Sequence, residues 1–477
     1  MPLASRDGRA QPELKTCRIR RVSDQGHDIV RKQIIVLASV LATAPLSASG
    51  ADLVVWWEDG FYAEEDKAIA DLVAAFEHKT GKQVELVQHP HVGHAAQVQA
   101  ALAAGQPPDF LWGFGGTTGH AEQWSYEGRL VDITETRGFL RELFDQDLLE
   151  RATLLNERTG ERGLFTLPMG RNTNHVHVWQ SLLERAGFAL ADIPKEWDAF
   201  WSFWCDRVQP AVRKALGRDD ICGAALPMST EASDTQDELD QFLWAYTPHW
   251  LPPAEWNLVE TPAARAILVQ ALERYTTIYR NGCTPPDAVD WTNVDNNTAF
   301  LEQRVVMAPN PSLSIPNMLR QERSEDYSRN SATIEWPRNT FGEPLVITGG
   351  ASSAVVFNDG GNSATAKEFV RFLVEDGWLT HYLDFSRDRL LPPMRKLIDR
   401  PYWLDPSDPH RMRSAIQILT QPQSYGWWGV HRDDERRFDL AEPPIMMAAV
   451  HRVAAEGWSP ERAADEAIAR IKQILSE

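Results

Sequence analysis

Three short stretches hold the side chains best able to engage a ligand. Trp57, Glu58 and Asp59 close an apolar run that begins at Leu53. Trp112 and Phe114 flank Gly113 and lead into Gly115-Gly116. Arg171, Asn172 and Asn174 follow Leu167-Pro168-Met169-Gly170. Two of these stretches set flat aromatic surface beside backbone or carboxylate groups, and the third supplies a guanidinium and two amides. A flat ring can carry the C–H face of a small polar ring, while carboxylates, amides and a guanidinium bond its hydroxyls. Trp244, Trp291, the Gly349-Gly350 pair, and Trp427 with Trp428 between Gly426 and Gly429 extend the candidate set. The chain has 18 tryptophans, and each has two open readings: a binding platform or a core residue.

Residue patterns for catalysis are missing. There is no Gly-x-Ser-x-Gly elbow, no His-Glu-x-x-His and no nucleotide loop, and the 67 acidic residues single out no pair for glycoside hydrolysis. The glycine loop at 113–116 lacks the lysine of a phosphate cradle, which leaves close backbone approach to a ligand or a plain turn. His89, His91 and His94 cluster, and His175 and His177 share a strand face, but neither group has accompanying thiolates. No catalytic residue, metal or cofactor is expected.

The elements that must position these groups are legible in outline. Asp52–Trp57 reads as a short buried strand stopped by Glu58-Asp59-Gly60. An amphipathic helix follows, with Ile69, Leu72, Val73 and Phe76 on one face and Gly81 past its end. Val84–Val87 is a second strand. Strand, helix, strand begins a parallel sheet, and ligands sit beyond the carboxyl ends of such strands. Phe110–Trp112 is a third strand at the same edge. Gly163–Pro168 reads as a strand ended by proline, and 171–179 alternates in part. Helices are expected at 93–104, 136–156, 180–186, 265–281 and 364–375. Pro194 and Trp197 open another, with Trp197, Phe200, Trp201 and Trp204 on one face. Arg304–Met307 is a strand ending at Pro309, and Leu345–Phe357 is strand-like. Ser459, Pro460 and Glu461 start a closing amphipathic helix.

At 477 residues the chain accommodates two or three domains, and its net charge of −19 argues against nucleic acid as a partner. Four cysteines are present, of which Cys17 falls in a leader ahead of the folded part. Cys205 and Cys222 form a disulfide in an oxidising compartment, or all three later cysteines are free thiols. Arg31-Lys32, the apolar run Ile34–Leu41 and the small residues up to Ala51 form a secretory signal with cleavage near Ser49–Ala51. Translation is expected to start at about Val30 (the polar stretch ahead of it does not suit a signal).

Taken in order, these motifs resemble the extracellular solute-binding proteins of ABC transporters, in their carbohydrate-binding branch. The similarity runs from about Ala51 to the C-terminus. It rests on Phe76–Lys82, Gly105–Asp109 with its apolar strand, and Gly163–Pro168 followed by Trp179, Leu182, Leu183, Ala186, Gly187, Pro194 and Trp197. Phe300–Met307, Gly349-Gly350 with Lys367-Glu368-Phe369, and Ser459–Leu475 complete it. Trp179-Gln180, Gln303 and Pro309-Asn310-Pro311 depart from the family's usual residues. The resemblance implies an α/β, two-lobed periplasmic-binding-protein fold with a ligand cleft and three crossing segments. The expected division is a leader at 1–50, an N-terminal lobe of 51–167 and 308–350, and a C-terminal lobe of 168–307 and 351–477. A monomeric periplasmic protein that passes a sugar or small oligosaccharide to an inner-membrane ABC permease is implied. The alternatives are a polyamine or phosphorylated polyol in the same fold, or a secreted carbohydrate-active enzyme. Replacing Trp57 or Trp112 by alanine is expected to weaken affinity without unfolding the protein.

Overall fold

A computed structural model describes residues 50–60, 63–113, 120–247, 261–386, 388–421, 423–424, 444–474 and 476. The leader, Phe114, Trp427 and Trp428 lie outside the described residues. The strands are β1 (Leu53–Glu58), β2 (Val84–His89), β3 (Phe110–Trp112), β4 (Thr153–Asn156), β5 (Glu161–Leu164) and β6 (Thr166–Thr173). They continue with β7 (His175–Trp179), β8 (Cys222–Ala224), β9 (Val305–Asn310), β10 (Ser331–Ile334), β11 (Ile347–Val356) and β12 (Gln423–Ser424). The chain divides into two compact units, an N-terminal one with 50–171 and 351–397 and a C-terminal one with 172–350 and 398–477.

In the N-terminal unit β1 is the centre of the sheet. It runs parallel to β2, with Leu53 opposite Val84 and Glu58 opposite His89, and parallel to β3, with Trp57 opposite Trp112. The end of β11 closes this side antiparallel to β3, Ala354 facing Trp112. β1 is buried at Leu53, Val55 and Trp57, as a period of two requires. Helix α1 (Ala63–Thr80) buries Ala68, Ile69, Leu72, Val73 and Phe76 and stops at Gly81, whose φ of 71° suits glycine. Glu64, Glu65 and Asp66 in its first turn and His78 and Lys79 in its last complement the helix dipole. Glu65 also takes a two-pronged, buried ion pair from Arg389, at 3.0 and 2.7 Å. Gly360 has no side chain for a physical reason: a Cβ there would lie 2.1 Å from Asp109 Oδ1.

The C-terminal unit holds the sheet β10-β7-β9-β8, with β7 antiparallel to both neighbours and β8 parallel to β9. Its core is aromatic. Trp197, Phe200, Trp201 and Trp204 are all buried, and Trp197 and Trp201 meet Phe242 at ring distances of 5.0 Å. The helix Pro262–Arg280 is capped by Thr261, whose hydroxyl accepts from the Ala264 amide. The closing helix, Pro460–Ile474, buries Ala464, Ala467, Ile468, Ile471 and Ile474.

Several expectations need correction. The units exchange chain at 171/172, 350/351 and 397/398, so 308–350 belongs to the C-terminal unit and 351–397 to the N-terminal one. The reason is pairing: β9 and β10 flank β7, whereas Ala354–Val356 pairs with β3. Pro168 and Pro309 lie within β6 and β9 rather than ending strands. Residues 136–156 form two short helices, Arg137–Leu143 and Gln146–Arg151, and then β4. Cys205 bonds to Cys283, with Cα atoms 5.2 Å apart, and Cys222 is a buried thiol. Cys222 lies fully buried within β8, whereas Cys283 comes within disulfide reach of Cys205. Among the described residues no helix is long and apolar enough to cross a membrane.

Candidate functional site

At the carboxyl end of β1 and β2 the N-terminal unit gathers a polar and aromatic group. Parallel pairing sets Glu58 beside His89, and the Asp59 amide donates to the His89 carbonyl at 2.8 Å. His94 enters from the first turns of helix α2 (His91–Ala103). The His89 ring lies 4.6 Å from His94 and 4.5 Å from Trp56, centroid to centroid. Glu58 is 1% exposed and His94 0%, and a Glu58 carboxylate oxygen lies 3.5 Å from His94 Nδ1. Among the described residues, neither nitrogen of His94 nor Nε2 of His89 makes a hydrogen bond. An imidazole carries at least one N–H, so this buried group retains bonding capacity for a further polar partner. Burial, then Asp66, raises the Asp59 pKa; burial, then His94, lowers that of His89. Among the described residues no three histidine, cysteine or acidic side chains are placed to hold a metal ion.

The predicted tryptophans are packed differently from open platforms. Trp57 and Trp112 are buried within the N-terminal unit, 4.9 Å apart and both edge-on to Tyr382. Trp244 and Trp291 are buried in the core of the C-terminal unit. Truncating such a side chain costs about 3–5 kcal/mol, so Trp57→Ala is expected to destabilise the fold rather than act on affinity alone. Arg171 is also engaged: it is buried and pairs with Asp145 at 2.6 Å.

The other candidates converge within the C-terminal unit. Asn172 and Gly350 are neighbours, since a Cβ on Gly350 would meet the Asn172 side chain at 3.9 Å. Both, with Gly349, are partly exposed. The Asn174 amide N–H donates to the Thr348 carbonyl at 3.0 Å. Its side-chain Nδ2 donates to Glu238 Oε1 at 2.9 Å. Glu238 stands on the helix Asp234–Tyr246 with Asp234, Asp237 and Asp240, none of which the sequence reading singled out. Asn296 Nδ2 bonds Asp234 at 2.8 Å, and Gln236 bonds Asp240 at 2.7 Å. Burial pushes Asp234 up to about 6 and Asp240 to about 7, and raises Asp237 and Glu238 well above the usual carboxylate range. The available signal was four acids interleaved with Leu239, Phe242 and Leu243, an unusual mixture for one buried helix.

A second polar interior lies by β7. His177 bonds Thr333 and the Ser312 carbonyl, His410 bonds Thr333, Ser331 and the Tyr327 carbonyl, and His175 bonds Ser414. Burial lowers all three imidazoles, His175 to about 3 and His410 to about 4.

Residues 71–400 match the sequence profile of a family described as bacterial extracellular solute-binding protein. Among curated proteins, none matches the chain in sequence. The fold is similar to that of a solute-binding protein of an ABC transporter from Thermotoga lettingae bound with α-D-tagatose, with a TM-score of 0.69 and 18% identity over 89% of this chain and 99% of that one. It is similar to maltose-bound MalE3 of T. maritima, with a TM-score of 0.67 and 15% identity over 88% and 99% of the two chains. A sugar transporter from Arthrobacter chlorophenolicus with bound laminaribiose gives 0.65 and 13% over 88% and 98%. These likenesses show a shared two-lobed α/β fold. The family profile spans more than half of the sequence, and the chain belongs to the bacterial extracellular solute-binding proteins.

Proposed function

We propose that this protein captures a sugar or small oligosaccharide outside the cytoplasmic membrane and delivers it to the permease of an ABC importer. The observation that carries the reading is family membership, joined to a fold shared over nearly the whole chain with proteins that hold tagatose, maltose and laminaribiose. The polar groups support it. Glu58, Asp59 and His94 in one unit, and Asn172, Asn174, Gly349 and Gly350 in the other, offer the mixed donors and acceptors that hydroxyl-rich ligands need. Trp56, partly exposed and against His89, is the described aromatic best placed to carry a sugar face, in the role expected of Trp57. The buried acids disfavour an anionic cargo such as a phosphorylated polyol. The Cys205–Cys283 bond suits an oxidising, extracytoplasmic compartment. The protein acts by binding and release, as a monomer, without turnover.

Calorimetric titration with mono- and disaccharides tests the proposal. Saturable binding of at least one sugar is expected, with His94→Ala weakening it by about tenfold through loss of one buried polar contact. Binding only of amino acids, polyamines or metal ions would overturn it.

A further inference from the structure

Among the described residues, the carboxylates of the Asp234–Tyr246 helix lack the cation that a buried acid ordinarily finds. Asp234, Glu238 and Asp240 are buried, and each has one amide donor: Asn296, Asn174 and Gln236. No described lysine, arginine or histidine contributes to their electrostatics; their influences are burial, amides and one another. Isolated carboxylates in an apolar interior are strongly unfavourable as anions.

A second, independent feature marks the same spot. Asn174 Oδ1, Glu238 Oε2, Thr235 Oγ1 and Thr348 Oγ1 are buried and make no hydrogen bond among the described residues. Asn174, Glu238 and Thr348 are linked through their other polar atoms. Asn174 donates to Glu238, the Thr348 carbonyl accepts from the Asn174 backbone, and Thr348 N–H donates to Gln241 on the same helix. Thr235 precedes Glu238 by three residues and so shares its helix face. Asn174 Oδ1 only accepts, Glu238 Oε2 only accepts once its carboxyl is ionised, and the two hydroxyls are able to accept. A single ligand hydroxyl brings one donor, which leaves acceptors and a negative charge unmet. An ammonium brings three donors, a positive charge and no lone pair.

We propose that this set receives a protonated amine, so that the cargo is an aminated sugar. The inference rests on the carbohydrate reading above and narrows it. Burial favours the protonated form of Glu238 in the ligand-free protein; an ammonium arriving at Oε2 favours the carboxylate, and the displaced proton passes to solvent.

The test is titration of the purified protein at neutral pH with glucosamine and fully deacetylated chitobiose. The comparison set is N-acetylglucosamine, glucose, cellobiose, putrescine and spermidine. The aminated sugars are expected to bind at least about tenfold tighter than their N-acetylated or hydroxyl counterparts, a margin typical of one buried charge contact. Glu238→Gln is expected to abolish that preference, and Thr235→Val to reduce it. Circular dichroism verifies that each variant is folded, and the wild-type comparison decides the matter if one is not. Equal or tighter binding of the neutral sugars would overturn the amine assignment and leave the carbohydrate reading standing. Binding of polyamines in preference to every sugar, or of no sugar at all, would overturn both.

Discussion

The C-terminal unit contains two buried polar groups that differ in one respect. The imidazoles of His175, His177 and His410 and the carboxylates of Asp234, Glu238 and Asp240 are alike in burial, and in both burial holds the group toward its neutral form. The imidazoles are hydrogen-bonded at five of their six ring nitrogens, to Thr333, Ser331, Ser414 and two carbonyls. The carboxylate group leaves Glu238 Oε2, Asn174 Oδ1 and two threonine hydroxyls unpartnered among the described residues. Burial alone therefore does not separate scaffold from site. Among the described residues the imidazole group is short at one ring nitrogen, His175 Nδ1, and suits a role in specifying the fold; the carboxylate group, short at four atoms, has acceptors to spare for something that arrives later.

The largest expected effect that could break this contrast is at His177. His177→Ala removes both bonds of a buried ring and leaves Thr333 and the Ser312 carbonyl short of a partner. A loss of about 2–4 kcal/mol in urea unfolding is expected, with ligand affinity in the folded fraction changed by less than about threefold. A large affinity loss at unchanged stability would erase the distinction.

Glu238→Gln should act in the opposite sense. The neutral amide relieves an uncompensated acid, so the ligand-free protein is expected to hold its stability or gain up to about 1 kcal/mol. Cargo affinity should fall by about tenfold, equivalent to about 1.4 kcal/mol. Urea unfolding and calorimetry on the same sample separate the two.

The smallest effect is in the pH dependence. Asp234 and Asp240 are raised from 3.8 to about 6 and about 7, so across that interval the folded chain holds protons that the unfolded chain has released. Their contribution to stability is full at acid pH and is lost as pH rises through the folded values. The imidazoles run the other way. His175 and His410 are lowered from 6.5 to about 3 and about 4, so their contribution is present above 6.5 and is lost as pH falls through the folded values. Asp240→Asn is expected to flatten the neutral-side decline in denaturation midpoint and leave the acid-side loss unchanged. A change on the acid side instead would mean that the two groups titrate as one.

Much of the scaffold was legible because it depends on local pattern. The apolar run of β1 and its polar stop at Glu58-Asp59 marked a strand and its carboxyl end. Ser459-Pro460 marked a helix start that the structure retains. What was hidden depends on distant chain. Tyr382 covers Trp57 and Trp112 from far along the sequence, and no local feature distinguishes a covered ring from an open one. The lobe boundaries failed for the same reason, since Ala354–Val356 returns to β3 from the far side of the other unit's sequence. The acids at 234–240 carry only a faint local mark, their mixture with apolar residues. Asn174 and Asn296, which hold them inside, stand some sixty positions away on either side.

That returning strand also sets an order of assembly. On the ribosome, β3 meets its antiparallel neighbour only after everything from 172 to 350 has been synthesised. The first half of the polypeptide thus stays without its sheet edge, and without the Arg389 partner of Glu65, until the gene is nearly read through. A chain so arranged completes its first sheet late, so a substitution in Ala354–Val356 or at Arg389 acts on the folding of residues made long before it.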